Sequence, residues 1–290
     1  MEYYISRYKG IEEKTYDFEV ITPMFVSGAD QNKAELREQT LKGLLRFWWR
    51  ATSGFTDVKK MKKAEDDLFG STEKKSKVSL KIDSCNFTHN SMKKFGKFNY
   101  KGRPIHISDY LQYGVNISKP IMPGSTFTLS VKMSGNTGSV DNCFYQIDNA
   151  LFALSIIGGI GSKSRNGFGS VNITNMKKSL KKYLYKNPVR NFFSVNERTT
   201  RYKTNKLYPT WEEAFAEIGL IYRDARLGLE PRHQFDERAL LSKPIIAYKE
   251  NVPKQYKSGR LAKPLFLSVS KKSNGFLGKI AISPCSLDKD

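Results

Sequence analysis

Residues 151–173 read LFALSIIGGIGSKSRNGFGSVNI, and three patterns meet in them. Phe144, Ile147, Leu151 and Leu154 recur at helical spacing as far as Gly158, a residue suited to ending a helix. Glycines at 158, 159, 161, 167 and 169 then bracket Ser162, Lys163, Ser164, Arg165 and Asn166, and GSVNI follows as a strand. Glycine lets main chain come close to a ligand and turn its N–H groups outward, while Lys and Arg bring charge for phosphate oxygens. This is no Walker A loop, because no GK[ST] follows at the required spacing. Nor is it a dinucleotide fingerprint, because it precedes a strand instead of opening a helix. A plain flexible connection is the alternative.

Working outward, TYDFEVI (15–21) alternates Tyr16, Phe18 and Val20 against Asp17 and Glu19, as a half-buried strand does. TPMFVSGAD turns the chain. From about Lys33 to Thr52, Leu36, Thr40, Leu44, Phe47, Trp48 and Ala51 then keep helical spacing, with Asp30 or Asn32 as the cap. KKMKKAEDDLF forms a shorter helix ending at Gly70, and KVSLKID puts Val78, Leu80 and Ile82 on one face of a second strand. Residues 86–120 hold no steady period and read as a long connection. STFTLSVKM (125–133) alternates again, with Phe127, Leu129, Val131 and Met133 inward. The order strand, helix, strand, strand, helix, strand is the split βαβ of a ferredoxin-like domain over residues 1–178, with its helices on one side of the sheet.

Beyond it, after KKSLKKYLYKNP and NFFSV, TWEEAFAEIGLIYRDA is the clearest helix of the chain. Thr210 and Glu213 form a capping box there, and Trp211, Phe215, Ile218, Tyr222 and Ala225 make one stripe. PRHQFDERALLSKPIIAY and RLAKPLFLSV read as strand-like pieces. The expected fold class is therefore α+β, with two ferredoxin-like βαββαβ domains, the second over 179–290 and less regular.

Charge narrows the partners. The 290 residues carry 49 Lys plus Arg against 28 Asp plus Glu, a net +21 with a pI near 9.7, on a chain of mean hydropathy −0.52. Such an excess repels itself in the compact state, so a polyanion is the natural partner, and nucleic acid comes first. An anionic membrane is second, without a basic amphipathic terminus or lipidation signal to favour it. No apolar run reaches the roughly 18 residues of a spanning helix, and MEYYISRYKGIEEK lacks a signal-peptide core, so a cytoplasmic protein is expected. Cys85, Cys143 and Cys285 show no CxxC pairing, which gives neither a disulfide framework nor a metal site, and no cofactor motif is present.

The helix LKGLLRFWWRA (41–51) sets Lys42, Arg46 and Arg50 four apart on one face, while its apolar positions point toward the sheet. Alone, that stripe reads first as a solvated surface with Glu38 and Lys42 paired. Together with the loop, it reads as a cationic furrow for a polyphosphate strand.

TPMFVSGADQNKAELREQTLKGLLRFWWRA, then DDLFGS, then GGIGSKSRNGFGSV, and late in the chain RLAKPLFLSV resemble the RAMP superfamily of CRISPR effector proteins. More narrowly, the FWWRA helix and the R-x-A-x-PL segment resemble the first RAMP subunit of the type III-B Cmr complex, although Lys263 stands where a small residue is usual. The resemblance implies two ferredoxin-like domains, a place at the head of the complex near the 3′ end of the CRISPR RNA (crRNA), and capture of target RNA beside other Cmr subunits. It makes Arg37, Lys42, Arg46 and Arg50, with Gly159, Gly161, Ser162, Lys163, Ser164, Arg165, Asn166 and Gly167, the RNA-backbone contacts. Such contacts position the strand without reading its bases. Phe168 and Trp49 can stack on bases or fill the core, and the core is the commoner fate of aromatics.

Some RAMP proteins cut RNA, and in the slicing subunit an aspartate follows the first strand, where Asp30 lies here. That makes a metal-dependent endoribonuclease the alternative, against Asp30 as a helix cap. His89, His106 and His233 show no paired acid–base spacing, and no convergent constellation can be assembled, so no catalysis is expected of this chain alone.

Overall fold

The computed structural model of the chain describes residues 11–30, 32–100, 102–134, 137–176, 193–196, 198–229, 235–241, 245, 251–257 and 263–283. In order, the first part holds β1 (Ile11–Val20), α1 (Glu38–Thr52), α2 (Val58–Phe69), β2 (Val78–Asn86), β3 (Lys97–Tyr100), β4 (Arg103–His106), α3 (Ile107–Gln112), β5 (Thr126–Ser134), α4 (Thr137–Ile157) and β6 (Val171–Ile173). Four of its strands form one sheet in the order β2-β5-β1-β6, every pair antiparallel. Counted by strand this is 2-3-1-4, the ferredoxin-like arrangement that the alternating segments predict. Those segments bury the residues the pattern assigns inward: Tyr16, Phe18 and Val20 on β1, and Phe127, Leu129, Val131 and Met133 on β5.

α1 starts at Glu38, five residues later than its apolar spacing predicts. The reason is pairing. Ala34 N–H donates to Lys119 O (3.0 Å), Lys119 N–H to Asn32 O (3.1 Å), and Glu35 N–H to Val26 O (3.1 Å), so residues 32–35 are laid against neighbouring loops and are not free to coil. Arg37 occupies the cap position without a side-chain cap. Neither Asp30 nor Asn32 caps the helix; the Asp30 carboxylate accepts the N–H of Asn32 at 2.8 Å, a local turn. By contrast, α2 is capped by Asp57, which accepts from Lys59 and Lys60 N–H. The aperiodic stretch 86–120 contains the β3–β4 hairpin and α3, whose Ile107 and Leu111 pack into a gap left by Gly219.

The second part holds β7 (Thr200–Lys203), α5 (Trp211–Leu227), α6 (Phe235–Leu241), α7 (Lys254–Lys257), β8 (Leu265–Lys272) and β9 (Gly275–Ile282). Its antiparallel sheet runs β7-β9-β8, which is first-third-second and matches the opening strands of the ferredoxin-like order. Among the described residues it stops at three strands, short of the full βαββαβ pattern. Thr210 caps α5 through Glu213 N–H as expected. FDERALL is a helix, α6, and not strand-like: Phe235 stacks on Tyr256 of α7, contacts a two-period reading cannot anticipate. The KKSLKKYLYKNP segment, the 178/179 boundary, Arg260, Ala262, His233 and Cys285 lie outside the described residues.

The two sheets share one core. Trp48 of α1 meets Phe266 of β8 at 5.5 Å between ring centroids, Phe193 joins both, and Phe168 meets Phe215 of α5 at 4.9 Å. Val195 N–H also donates to Ala51 O at the end of α1 (2.7 Å). Among the described residues no helix is long and apolar enough to cross a membrane.

Candidate nucleic-acid interface

The glycine-rich loop between α4 and β6 is locked, not loose. Ser162 N–H donates to Phe25 O (2.7 Å), Gly169 N–H to Pro23 O (2.8 Å) and Ile160 N–H to Gly169 O (2.8 Å), stitching the loop to the chain leaving β1. Its far side reaches the second sheet, where Leu267 N–H donates to Arg165 O (3.1 Å). The glycines let main chain approach main chain. At Gly169 (φ +66°) a Cβ would overlap the Ile160 carbonyl, and at Gly161 (φ +93°) the Phe25 carbonyl. Gly159 lies against the carbonyls of Phe168 and Gly169, and Gly167 against the Phe215 ring. The glycines therefore cradle the fold's own backbone, which counts against the alternative of a plain flexible connection.

Arg165 and Asn166 are likewise spent internally. The Arg165 guanidinium donates to the Lys263 carbonyl and sits over the rings of Phe266 (4.9 Å) and Phe47 (5.7 Å). Asn166 Nδ2 donates to Leu111 O (2.9 Å), and its Oδ1 accepts from Lys263 Nζ (2.9 Å). Lys263, the unusual residue of the C-terminal segment, thus closes this joint, with its amine 3.8 Å from the Tyr222 ring centroid. Burial, then Arg226 and Arg165, push that amine down to about 7.

The basic face of α1 has a different job from the one its spacing implies. Arg46 Nε lies 3.0 Å and Arg50 Nη1 2.7 Å from the same Glu65 Oε1 on α2. Arg46 also donates to Gly70 O (2.5 Å) and covers the Phe69 ring. Glu65 is 5 % exposed. The two guanidiniums hold α2 onto α1, answered by two carboxylates of α2, the buried Glu65 and, 3.9 Å from Arg46, Asp66. Lys42 is half-buried, and burial, then Arg46, lower its pKa. Trp49 and Phe168, the stacking candidates, are core residues at 2 % and 0 % exposure, and Trp49 Nε1 donates to Gln146 Oε1 (2.7 Å).

What stays open to solvent is the loop's tip. Ser162 is exposed, and Lys163 is held in a left-handed conformation (φ +58°). With Ser27 and Gly28 after β1 and Gly114, Val115, Asn116 and Ile117 after α3, they line a cleft of about 590 Å³. Arg37 is exposed and donates to Ser27 O (3.3 Å), which joins it to the same rim. Ser164 is half-buried beside Lys163. Gly114 to Ile117 were invisible to periodicity, since they fall in the aperiodic stretch; only the glycine marked a turn there. Among the described residues no three His, Cys, Asp or Glu side chains come together as metal ligands would.

The model of the RAMP superfamily matches residues 17–172, from β1 through the glycine loop into β6. The chain belongs to the RAMP superfamily. Within it, the chain is 26% identical over 184 residues to the CRISPR system Cmr subunit Cmr1-2 of Pyrococcus furiosus, covering 58% of this chain and 98% of that relative. It is 27% identical over 149 residues to Cmr1-1 of the same organism, covering 48% of this chain and 40% of that relative. Both RAMP relatives are named as Cmr subunits. In fold, the chain is similar to Cmr1 from Pyrococcus furiosus in its apo form, with a TM-score of 0.58 at 20% identity over 97% of this chain and 89% of that one. It is also similar to a chain of the type III-B Cmr-beta complex bound to cognate target RNA, with a TM-score of 0.57 at 11% identity, over 95% and 94% of the two chains.

Proposed function

We propose that this RAMP protein is a non-catalytic, RNA-binding subunit of a CRISPR Cmr effector complex, acting in the cytoplasm at the head of the complex near the crRNA 3′ end and helping to capture target RNA. The observation that carries this is the match to a Cmr1 subunit over 98% of that relative's length. The net charge of +21 and the cationic rim of Arg37 and Lys163 beside Ser162 support a phosphate-bearing partner. Arg46, Arg50, Arg165 and Asn166 act on RNA at second hand, by holding α2 and the loop in place. Asp30 serves its turn and is assigned no catalytic role.

The test is binding of labelled single-stranded RNA with Mg²⁺ or Mn²⁺ present. The expected result is a salt-sensitive complex and no new fragments. Arg37→Ala with Lys163→Ala should weaken binding for all sequences alike and flatten the salt slope by about 1.4 units, about 0.7 for each lost phosphate contact on a single strand. Fragments that vanish in Asp30→Ala would replace this reading with a metal-dependent ribonuclease. No binding at low salt would replace it with a basic module for a protein partner.

A further inference from the structure

The face of the second sheet turned toward α4 carries an unusual arrangement of charge. The register pairs Lys203 of β7 directly with Lys279 of β9, and Arg201 with Ala281. Because side chains alternate along a strand, Arg201, Lys203, Lys279 and, on β8, Ser270 and Lys272 share one face. With Phe152 and Ile156 of α4 and with β6, they line a groove of about 470 Å³. Like charges opposite one another in a ladder destabilise it, and no carboxylate lines the groove among the described residues.

Two groups show what the groove lacks. Lys279, held by the Ile156 carbonyl at 2.6 Å, has its amine pushed down to about 7 by burial, then by Lys272 and Arg201. Ser270 Oγ is buried without a hydrogen-bond partner. Arg201, Lys203 and Lys272 are exposed and have no ion pair among the described residues, whereas Lys271 on the opposite face is paired with Glu19 (2.6 Å). Tyr202, between Arg201 and Lys203 on the edge strand, alternates to the opposite face with its ladder partner Ile280, so the groove's polar face consists of the cations and the Ser270 hydroxyl. Bare cations with a hydroxyl beside them are what the phosphates of a single strand use.

We propose that this groove between α4, β6 and the β7-β9-β8 sheet is a second RNA-binding site, separate from the Arg37–Lys163 rim, that takes the phosphate backbone of a single strand. The choice of RNA over another polyanion rests on the function proposed above; the groove itself rests on its charges.

The experiment titrates the full chain into a fluorescein-labelled oligouridine of about 15 nucleotides across a salt series, and reads anisotropy. The triple variant Arg201→Ala, Lys203→Ala, Lys272→Ala alters exposed side chains only. It should bind at least tenfold more weakly at low salt and lose about two units of salt slope, and it should do so equally for oligoadenosine. Combined with Arg37→Ala and Lys163→Ala, the losses should multiply. Should the triple variant aggregate, Lys272→Ala alone, at the hairpin end, should remove about 0.7 of a unit. A groove variant with the parent's affinity and slope, while the rim variant is impaired, overturns the groove and leaves the rim. A parent that binds no RNA overturns both. An oligoglutamate that raises the parent's melting temperature more than the oligouridine does, and loses that effect in the triple variant, overturns RNA in favour of an acidic protein segment.

Discussion

Two sets of cations occupy regular elements of this chain, and the fold treats them oppositely. Arg46 and Arg50 sit one helical turn apart on α1, converge on the buried Glu65, and work as a clamp between helices. Arg201, Lys203 and Lys279 sit on one face of the β7–β9 ladder, where Lys203 opposes Lys279 and no carboxylate answers them among the described residues. Spacing is equally regular in both sets. What differs is the counter-charge, and that is set by tertiary structure: α2 brings its own carboxylate to α1, while α4 brings the sheet only a carbonyl end.

The largest expected effect tests the clamp. Glu65→Gln keeps the shape of the side chain and removes its charge, leaving two guanidiniums under α2 with only Asp66, 3.9 Å from Arg46, to answer them. Breaking a buried pair from one side costs about 3 kcal/mol, taken at the low end because the Arg46 and Arg50 side chains remain 29% and 37% exposed. Urea unfolding should show that loss, with RNA affinity of the folded fraction unchanged. A stable variant with weakened RNA binding would restore α1 as a ligand-facing surface and erase the contrast.

How much of this was legible follows from how far each interaction reaches. β1, β2 and β5 were readable because a buried face writes itself as alternation in the segment itself, and the Thr210 cap because its partner is three residues away. The start of α1 was not, since Ala34 answers to Lys119. The roles of Arg46 and Arg50 were not, since Glu65 belongs to another helix. The glycine cluster stands out in the sequence, but its internal contacts do not: Gly161 is needed for contact with Phe25, and the loop's far end binds Leu267, partners that no local window contains. The loop's tip, exposed Ser162 and half-buried Lys163, belongs to the set the resemblance implies; its neighbours Gly114 to Ile117 do not.

A smaller effect separates the two regions by pH. Lys279 on the sheet face and Lys263 at the loop joint have amines pushed down to about 7, against an ordinary value of 10.5 in the unfolded chain. Between those values the unfolded state binds more protons, so their contribution to stability rises with pH across that window and is lost as pH falls through 7. Tyrosines and Cys143, whose pKa values burial raises, oppose this at alkaline pH, so the readable quantity is the difference from a variant. Lys279→Met should lessen the rise in unfolding free energy between about pH 7 and 10, the window set by the two states' proton affinities. Parallel pH curves for parent and variant would mean the sheet face carries no uncompensated charge.

The smallest effect is the most pointed, because its sign is the reverse of what removing a polar surface residue usually does. Lys203→Gln keeps the stem on the edge strand and, below about pH 7 where the Lys279 amine is charged, deletes one of two charges that face each other across the ladder. Without RNA it should stabilise the fold by about 0.5 kcal/mol at low ionic strength, the scale of a single cross-strand pair. The gain should fade toward about 1 M salt, where the screening length falls to about 3 Å. The same substitution at Arg46 should destabilise at every salt concentration, since its partner is buried beneath α2. If both positions responded with the same sign, the distinction between a clamped and an unanswered set of cations would fail. A gain at Lys203 that oligouridine reverses, by stabilising the parent more than the variant, would instead tie the repulsion on this sheet to the strand that relieves it.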